Sequence, residues 1–233
     1  MVESFKLMMY MDKKYKITDT KVRISADNDL AAKEVRRKMK EGGTVLINLM
    51  ASPGAGKTTT LRRTIEALKD SYRIGVMEAD VDSDVDAAAI SELGVKVIQL
   101  HTGGSCHMDA DMTMRGLAEM GTDDLDVVFL ENVGNLVCPA EFDVGANLRV
   151  MILSVPEGDD KPLKYPLMFT VSDALLINKI DVKEIFDFDF DAAEERAKKL
   201  NPDIAVYPVS SKTGEGYAEW ISWLKQKIEE ERR

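Results

Sequence analysis

From Thr44 onward the chain alternates short, continuously apolar runs with longer charged segments of helical period. The runs at 44–50 (TVLINLM), 73–79 (RIGVMEA), 95–100 (VKVIQL), 126–131 (DVVFLE), 148–155 (LRVMILSV), 174–178 (ALLIN) and 205–210 (AVYPVS) read as strands. Most lack the in/out alternation of a half-exposed strand, so they are expected to be covered on both faces. The segments between them, such as TTTLRRTIEALKD and FDAAEERAKKL, read as crossover helices. This pattern predicts an α/β fold with a mainly parallel sheet flanked by helices. Before it, residues 1–26 have no clear period. The stretch DNDLAAKEVRRKMKEGG predicts a helix capped by Asp27 or Asn28, carrying Leu30, Ala31, Val35 and Met39, and stopped by Gly42-Gly43. The expected organisation is an N-terminal extension with one helix over 1–42 and a single domain over 43–233.

Composition narrows the function. Of 233 residues, 45% are apolar and 31% charged, which argues against wholesale disorder. The 41 acids outnumber the 31 Lys and Arg, for a net charge of −10. Such a surface repels nucleic-acid backbones, so no nucleic-acid partner is expected. No apolar run has the ~18 residues of a membrane span. MVESFKLMMYMDKKYK lacks a small-residue cleavage pattern and reads as no signal peptide. Two cysteines beside thirteen methionines suit a reducing, cytoplasmic setting.

The strongest motif is Ala51-Ser-Pro-Gly-Ala-Gly-Lys-Thr58, between the first strand and the following helix. It fits the phosphate loop G-x-x-x-x-G-K-[ST], with Ala51 in place of the first glycine. Pro53, Gly54, Ala55, Gly56 and Thr59 would line the phosphates, Lys57 would neutralise the β/γ groups, and Thr58 would ligate Mg²⁺. Asn178-Lys179-Ile180-Asp181 follows the run ALLI at a strand end. In such an NKxD motif the carboxylate of Asp181 accepts from the guanine N1–H and amine, Lys179 lies along the base and Asn178 braces the loop. Ser210-Ser211-Lys212 reads as a further base-contacting loop or as a plain turn. GTP and GDP are therefore the expected nucleotides, with hydrolysis the expected reaction.

Two further groups carry possible chemistry. Glu78-Ala-Asp80-Val-Asp82-Ser-Asp84-Val-Asp86 ends the second strand and reads either as a Mg²⁺ and water-positioning site or as a solvated acidic loop. Glu131-Asn-Val-Gly134 ends the strand DVVFLE. Its acid can bond a metal-bound water, and Gly134 would let the backbone approach the γ-phosphate. Cys106-His107 and Cys138 each follow a strand, with His101 nearby. Thiolate and imidazole suit Zn²⁺ or Ni²⁺, although a cysteine is also a small buried hydrophobe. One chain offers few soft ligands for a closed site, which points to a site shared by two chains.

The segments SPGAGKTT, TGGSCHMDA (102–110), LENVGNLVCPAEFD (130–143) and SVPEGDDKPLKYP (154–166), the last leading into DALLINKID, resemble the HypB-type GTPases. These are dimerising metallochaperone G proteins that assist nickel insertion into nickel–iron hydrogenase. The resemblance covers roughly Asp27 to the C-terminus. It implies a P-loop GTPase fold of the SIMIBI class, slow regulatory hydrolysis and GTP-promoted homodimerisation. Cys106, His107 and Cys138 match the metal ligands at the dimer interface. Lys57, Thr58, Asp80 and Glu131 match the phosphate and Mg²⁺ positions, and Asp86 an acid close to the nucleotide. Lys164 matches a lysine that reaches the partner subunit's nucleotide. A second nickel-binding maturation protein and the hydrogenase large-subunit precursor are the implied partners. Ala51 and Pro53 depart from the usual phosphate loop, and Gly104-Ser105 stands where the family has a charged pair. Residues 1–26 carry neither a CxxC site nor a His-rich tract, so nickel storage is not implied. Competing readings are a urease-type nickel GTPase, whose Cys-Pro-His differs from Cys106-His107, and a scaffold that only holds nucleotide.

Overall fold

The computed structural model describes residues 25–80 and 85–233. Among them, seven strands form one parallel sheet in the order β3-β2-β4-β1-β5-β6-β7. They are β1 (Val45–Ala51), β2 (Ile74–Asp80), β3 (Lys96–His101), β4 (Val127–Glu131), β5 (Leu148–Ser154), β6 (Ala174–Asn178) and β7 (Ala205–Pro208). Every apolar run is thus a strand. The continuous runs of β1, β4 and β6 are buried along their whole length, whereas the edge strands β3 and β7 are only partly covered. That difference explains why polar Lys96, Gln99 and His101 are tolerated on β3. β7 ends at Pro208, short of the expected 210: Val209 still donates its N–H to the Ile177 carbonyl at 2.8 Å, and Ser210 then turns away, donating to the Glu215 carbonyl.

Helices cover both faces. The main ones are α1 (Ser25–Gly42), α2 (Lys57–Leu68), α3 (Val85–Ser91), α4 (Ala110–Met120), α5 (Cys138–Glu141), α6 (Lys161–Lys164), α7 (Pro166–Val171), α8 (Phe190–Leu200) and α9 (Tyr217–Glu231). Under α2 and α9, Leu61, Ile65, Trp220 and Leu224 pack on β1 and β4; under α7 and α8, Phe169, Ala193 and Ala197 pack on β5 and β6. Trp220 also donates its indole N–H to Thr64 Oγ1 at 3.2 Å, so its burial leaves no orphan donor.

α1 begins before the expected caps. Asn28 lies inside it and bridges two distant segments, donating to the Asp143 carbonyl and accepting from the Ala110 N–H, both at 2.9 Å. Ala32, Val35 and Met39 enter the core beside α4, but Leu30 is 65% exposed, contrary to the expected apolar face. Arg36 completes the seam with an ion pair to Asp143 at 2.6 Å. The lead-in over 1–24 and the acids Asp82 and Asp84 lie outside the described residues. No helix among the described residues is long and apolar enough to cross a membrane.

The chain leaves β1 toward β2 on one side and, after β4, crosses to β5 on the other. In open parallel sheets this reversal leaves a crevice beyond the carboxyl ends of the strands. The expected chemistry gathers there.

Candidate functional site

β1 delivers the chain into a tight loop and then straight into α2. Gly54 and Gly56 adopt φ of 76° and 97°, and a Cβ on Gly56 would lie 2.6 Å from Asn178 Nδ2. Only glycine fits there. Asn178, at the end of β6, donates to the Ala55 carbonyl at 3.0 Å and accepts from the Ser211 N–H and hydroxyl at 3.0 and 2.9 Å. One buried amide therefore ties together the loops after β1, β6 and β7. Lys179, with φ of 64°, donates from Nζ to the Gly54 carbonyl at 2.6 Å. Asp181 is exposed beside them and accepts from the Ser210 hydroxyl at 2.6 Å. Ser52 is hydrogen-bonded to Glu157, which the Ser154 N–H and hydroxyl hold in turn.

Ala51 is fully buried as the last residue of β1, where a small side chain fits. Pro53, Gly54 and Thr59 are exposed, and Lys57 and Thr58 half-buried at the start of α2. Together they place the opening turn of α2, a cation and a hydroxyl after β1, the chemistry a polyphosphate requires. Lys212 exposes its side chain, and its carbonyl accepts from Arg63 at 3.1 Å.

β4 supplies the acid beside this loop. Thr58 donates to Glu131 Oε1 at 2.9 Å, and Oε2, although buried, has no hydrogen-bond partner among the described residues. Burial raises the Glu131 pKa, and burial together with the facing Glu131 charge raises that of Glu78. A hydroxyl, a buried acid with a spare oxygen and the nearby Asp80 fit a hydrated divalent cation. Asp80 ends β2 half-buried, and Asp86 is exposed on α3. Three residues on, Gly134 abuts the phosphate loop: a Cβ there would sit 3.1 Å from Pro53 N and Cγ. Pro53, a departure from the usual loop, is thus in contact with the segment after β4.

That same segment reaches a second cluster. Asn132 is fully buried; its Nδ2 donates to Asn48 Oδ1 at 3.2 Å, and its Oδ1 accepts from the Met108 N–H at 3.2 Å. Met108 adjoins His107, and the β4 loop runs on to Cys138 at the start of α5. Ligand atoms of Cys106, His107 and Cys138 lie within 4.8 Å of one another, with the two sulfurs 2.9 Å apart. The His107 ring stacks on Phe142 at 3.8 Å, and burial lowers its pKa, favouring the neutral ring that can ligate. The hydrogen bond from Cys106, then burial, raises the Cys138 thiol. His101 stands apart at the end of β3, opposite Asp80 in register. Lys164 is also apart, exposed and paired with Asp160 at 2.5 Å.

Several contributors carried no usable signal in sequence. Phe142 and Asn132 look like ordinary loop residues, and Glu157 acquires a role only through Ser52. Glu78 had one: lying two positions before Asp80 in a strand, it shares that residue's face.

Residues 45–208 match the family described as CobW/HypB/UreG, nucleotide-binding domain. The hydrogenase maturation factor HypB of Azotobacter vinelandii is 47% identical over 205 residues, 87% of this chain and 67% of that protein. The crystal structure of the HypB of Archaeoglobus fulgidus superposes with a TM-score of 0.81 at 39% identity, covering 87% of this chain and 99% of the other. A Helicobacter pylori HypB solved in complex with nickel gives 0.82 at 37% identity, covering 89% and 98%.

Proposed function

The chain belongs to the CobW/HypB/UreG nucleotide-binding family, and from that premise we propose that it is a GTP-hydrolysing metallochaperone that assists nickel insertion during hydrogenase maturation. Lys57 and the N–H groups opening α2 bind the β/γ-phosphates, and Asp181 selects guanine. Thr58, Asp80 and Glu131 hold a hydrated Mg²⁺, which supplies positive charge to the polyphosphate. Asp86 and Gly134 face the γ-phosphate side. Cys106, His107 and Cys138 take Ni²⁺ or Zn²⁺, and a second copy of the chain completes the coordination when GTP favours the dimer. Lys164, paired only on the surface of its own chain, is free to turn toward the partner's nucleotide.

One observation supports this reading: the segment after β4 touches both the phosphate loop and the thiol cluster. Glu131 bonds Thr58, Gly134 packs on Pro53, Asn132 holds the backbone next to His107, and Cys138 ends the segment. A change at the phosphates thus reaches both thiol loops, and linkage requires metal to favour whatever GTP favours. Cargo would be exchanged with a second nickel-binding maturation protein and the hydrogenase large-subunit precursor, in the cytoplasm.

The test is molecular mass and Ni²⁺ or Zn²⁺ stoichiometry with GDP and with a non-hydrolysable GTP analogue. A dimer with a shared metal that forms preferentially with the analogue is expected. One metal per monomer, bound equally in both nucleotide states, would overturn the shared switch.

A further inference from the structure

Arg63 is a half-buried cation that the nucleotide site leaves without a role. It sits near the middle of α2, the helix that opens with Lys57, and reaches across to the loop after β7. Its Nε donates to the Ser211 carbonyl at 2.8 Å and its Nη2 to the Lys212 carbonyl at 3.1 Å. One flat guanidinium thus spans two consecutive carbonyls, a fork that no other side chain offers in fixed geometry. The return of the loop closes on the same group: a Cβ on Gly214, where φ is 90°, would lie 2.7 Å from Arg63 Nη1. The guanidinium also lies over the Tyr217 ring, with Cζ 5.5 Å from the centroid. The loop held in this way carries Ser210, whose hydroxyl donates to Asp181 Oδ1 at 2.6 Å. Ser211 spends its one hydroxyl hydrogen on Asn178 Oδ1, so the Thr60 and Tyr217 hydroxyls, 2.8 and 2.7 Å away, both donate to it. α2 therefore grips this loop at two points, Thr60 and Arg63.

We propose that Arg63 is a positioning residue for guanine selection: by holding the Ser211 and Lys212 carbonyls against α2, it sets where Ser210 places the Asp181 carboxylate. The inference rests on the reading of Asp181 as the acid that selects guanine. Asp181 is exposed, so its side chain is free to rotate unless a neighbour fixes it, and Ser210 is that neighbour. A carboxylate that accepts from two adjacent donors needs both its oxygens in the plane of the base. A small rotation therefore costs a two-bond ligand more than a one-bond ligand. Because α2 opens on Lys57 and carries Arg63, one helix sets the span between the phosphate end and the base end of the site.

The experiment measures the affinities of GDP and IDP by competition against a fluorescent GDP analogue. IDP lacks the exocyclic amine, so it offers Asp181 one hydrogen where GDP offers two. Arg63→Met keeps a long stem over Tyr217 and removes both donors. It is expected to lower the preference for GDP over IDP about fivefold, with GDP weakening more than IDP. Arg62→Met makes the same change one position earlier on α2, where the side chain pairs with Glu92 at 3.8 Å, and is expected to leave that preference within about twofold. If Arg63→Met does not fold, Arg63→Ala decides by the same ratio. The proposal is overturned if the preference falls less than about threefold, because a loss shared equally by GDP and IDP is a general defect and not one of base reading. It is also overturned if Arg62→Met lowers the preference as far as Arg63→Met, since the effect then belongs to the charge of the helix. An unaltered chain that binds ADP as tightly as GDP removes the guanine reading itself, before any substitution is made, and this inference with it.

Discussion

The nucleotide end and the thiol cluster share the carboxyl edge of one sheet, yet they are built in opposite ways. Around the phosphate loop, Asn178, Ser211 and Lys179 close a network in which the key amide is almost fully buried. Around the thiols, Cys106 is exposed, with its carbonyl accepting from Asn135 at 3.4 Å, while the half-buried His107 stacks on Phe142 beside the backbone bond from Met108 to Asn132. A buried, satisfied network resists rearrangement, because breaking any bond leaves an orphan group in a low-dielectric interior. A half-exposed cluster of three ligand atoms pays less of that penalty, so it is the easier of the two to open. The phosphate-loop end is the more buried and more tightly bonded of the two; the thiol cluster is the more open.

The sharpest way to break this contrast is to remove function at the more tightly bonded end without disturbing the fold. Lys57→Ala should lower single-turnover GTP hydrolysis about 1000-fold, ~4 kcal/mol of transition-state stabilisation. Its apo melting temperature should be unchanged, with no rise on adding GTP. Turnover at the parent rate would remove the phosphate loop from the chemistry. Next in size, Asp181→Asn should weaken GTP binding by ~2–4 kcal/mol and admit xanthine nucleotides, as titration calorimetry with both would reveal. Unchanged GTP affinity would take guanine selection away from this carboxylate.

The comparison is sharpened by paired truncations. Asn178→Ala strands the Ala55 carbonyl and the Ser211 N–H, and should cost ~2–3 kcal/mol in urea denaturation of the apo protein. Cys106→Ala, at an exposed site, should change stability by less than ~0.5 kcal/mol while abolishing metal binding. Equal losses in the two variants would contradict the division into a tightly bonded and a more open site. An effect confined to stability lies at the opposite edge of the sheet. Asp126 accepts from the Arg73 backbone and guanidinium and from Arg232 at 2.7–3.1 Å, which holds its carboxyl down at about 2, from 3.8. A depressed acid stabilises the fold fully above about pH 4, and that stabilisation is lost as pH falls through 2. Asp126→Asn should therefore cost ~1–2 kcal/mol at neutral pH and flatten the acid limb of stability against pH, without changing GTP or metal affinity.

Much of the molecule was legible along the chain. The continuous apolar runs of β1, β4 and β6 announce strands covered on both sides, and a strand feeding Gly54–Thr58 into a helix leaves few alternatives to a phosphate loop. Asn178 and Asp181 were legible because their four-residue motif sits at a strand end. Other residues misled. Asn28 resembles a helix cap and instead bridges Asp143 to Ala110. Leu30 fits the helical period of the core face and points outward all the same.

What the sequence determined alone is local: which segments become strands and helices, and which short motifs stand at their ends, because these follow from short continuous apolar runs, from the 3.6-residue helical period and from contiguous chemistry. What only the tertiary structure decided is lateral. β2 lies beside β4, not β1, so Glu78 faces Glu131 across strands far apart in the chain. The loops after β3 and β4 fall side by side, so cysteines 32 residues apart meet at 2.9 Å. Sheet order is chosen by how the helices can cover both faces with right-handed crossovers, a property of the whole packed chain, and no local period along the sequence carries it.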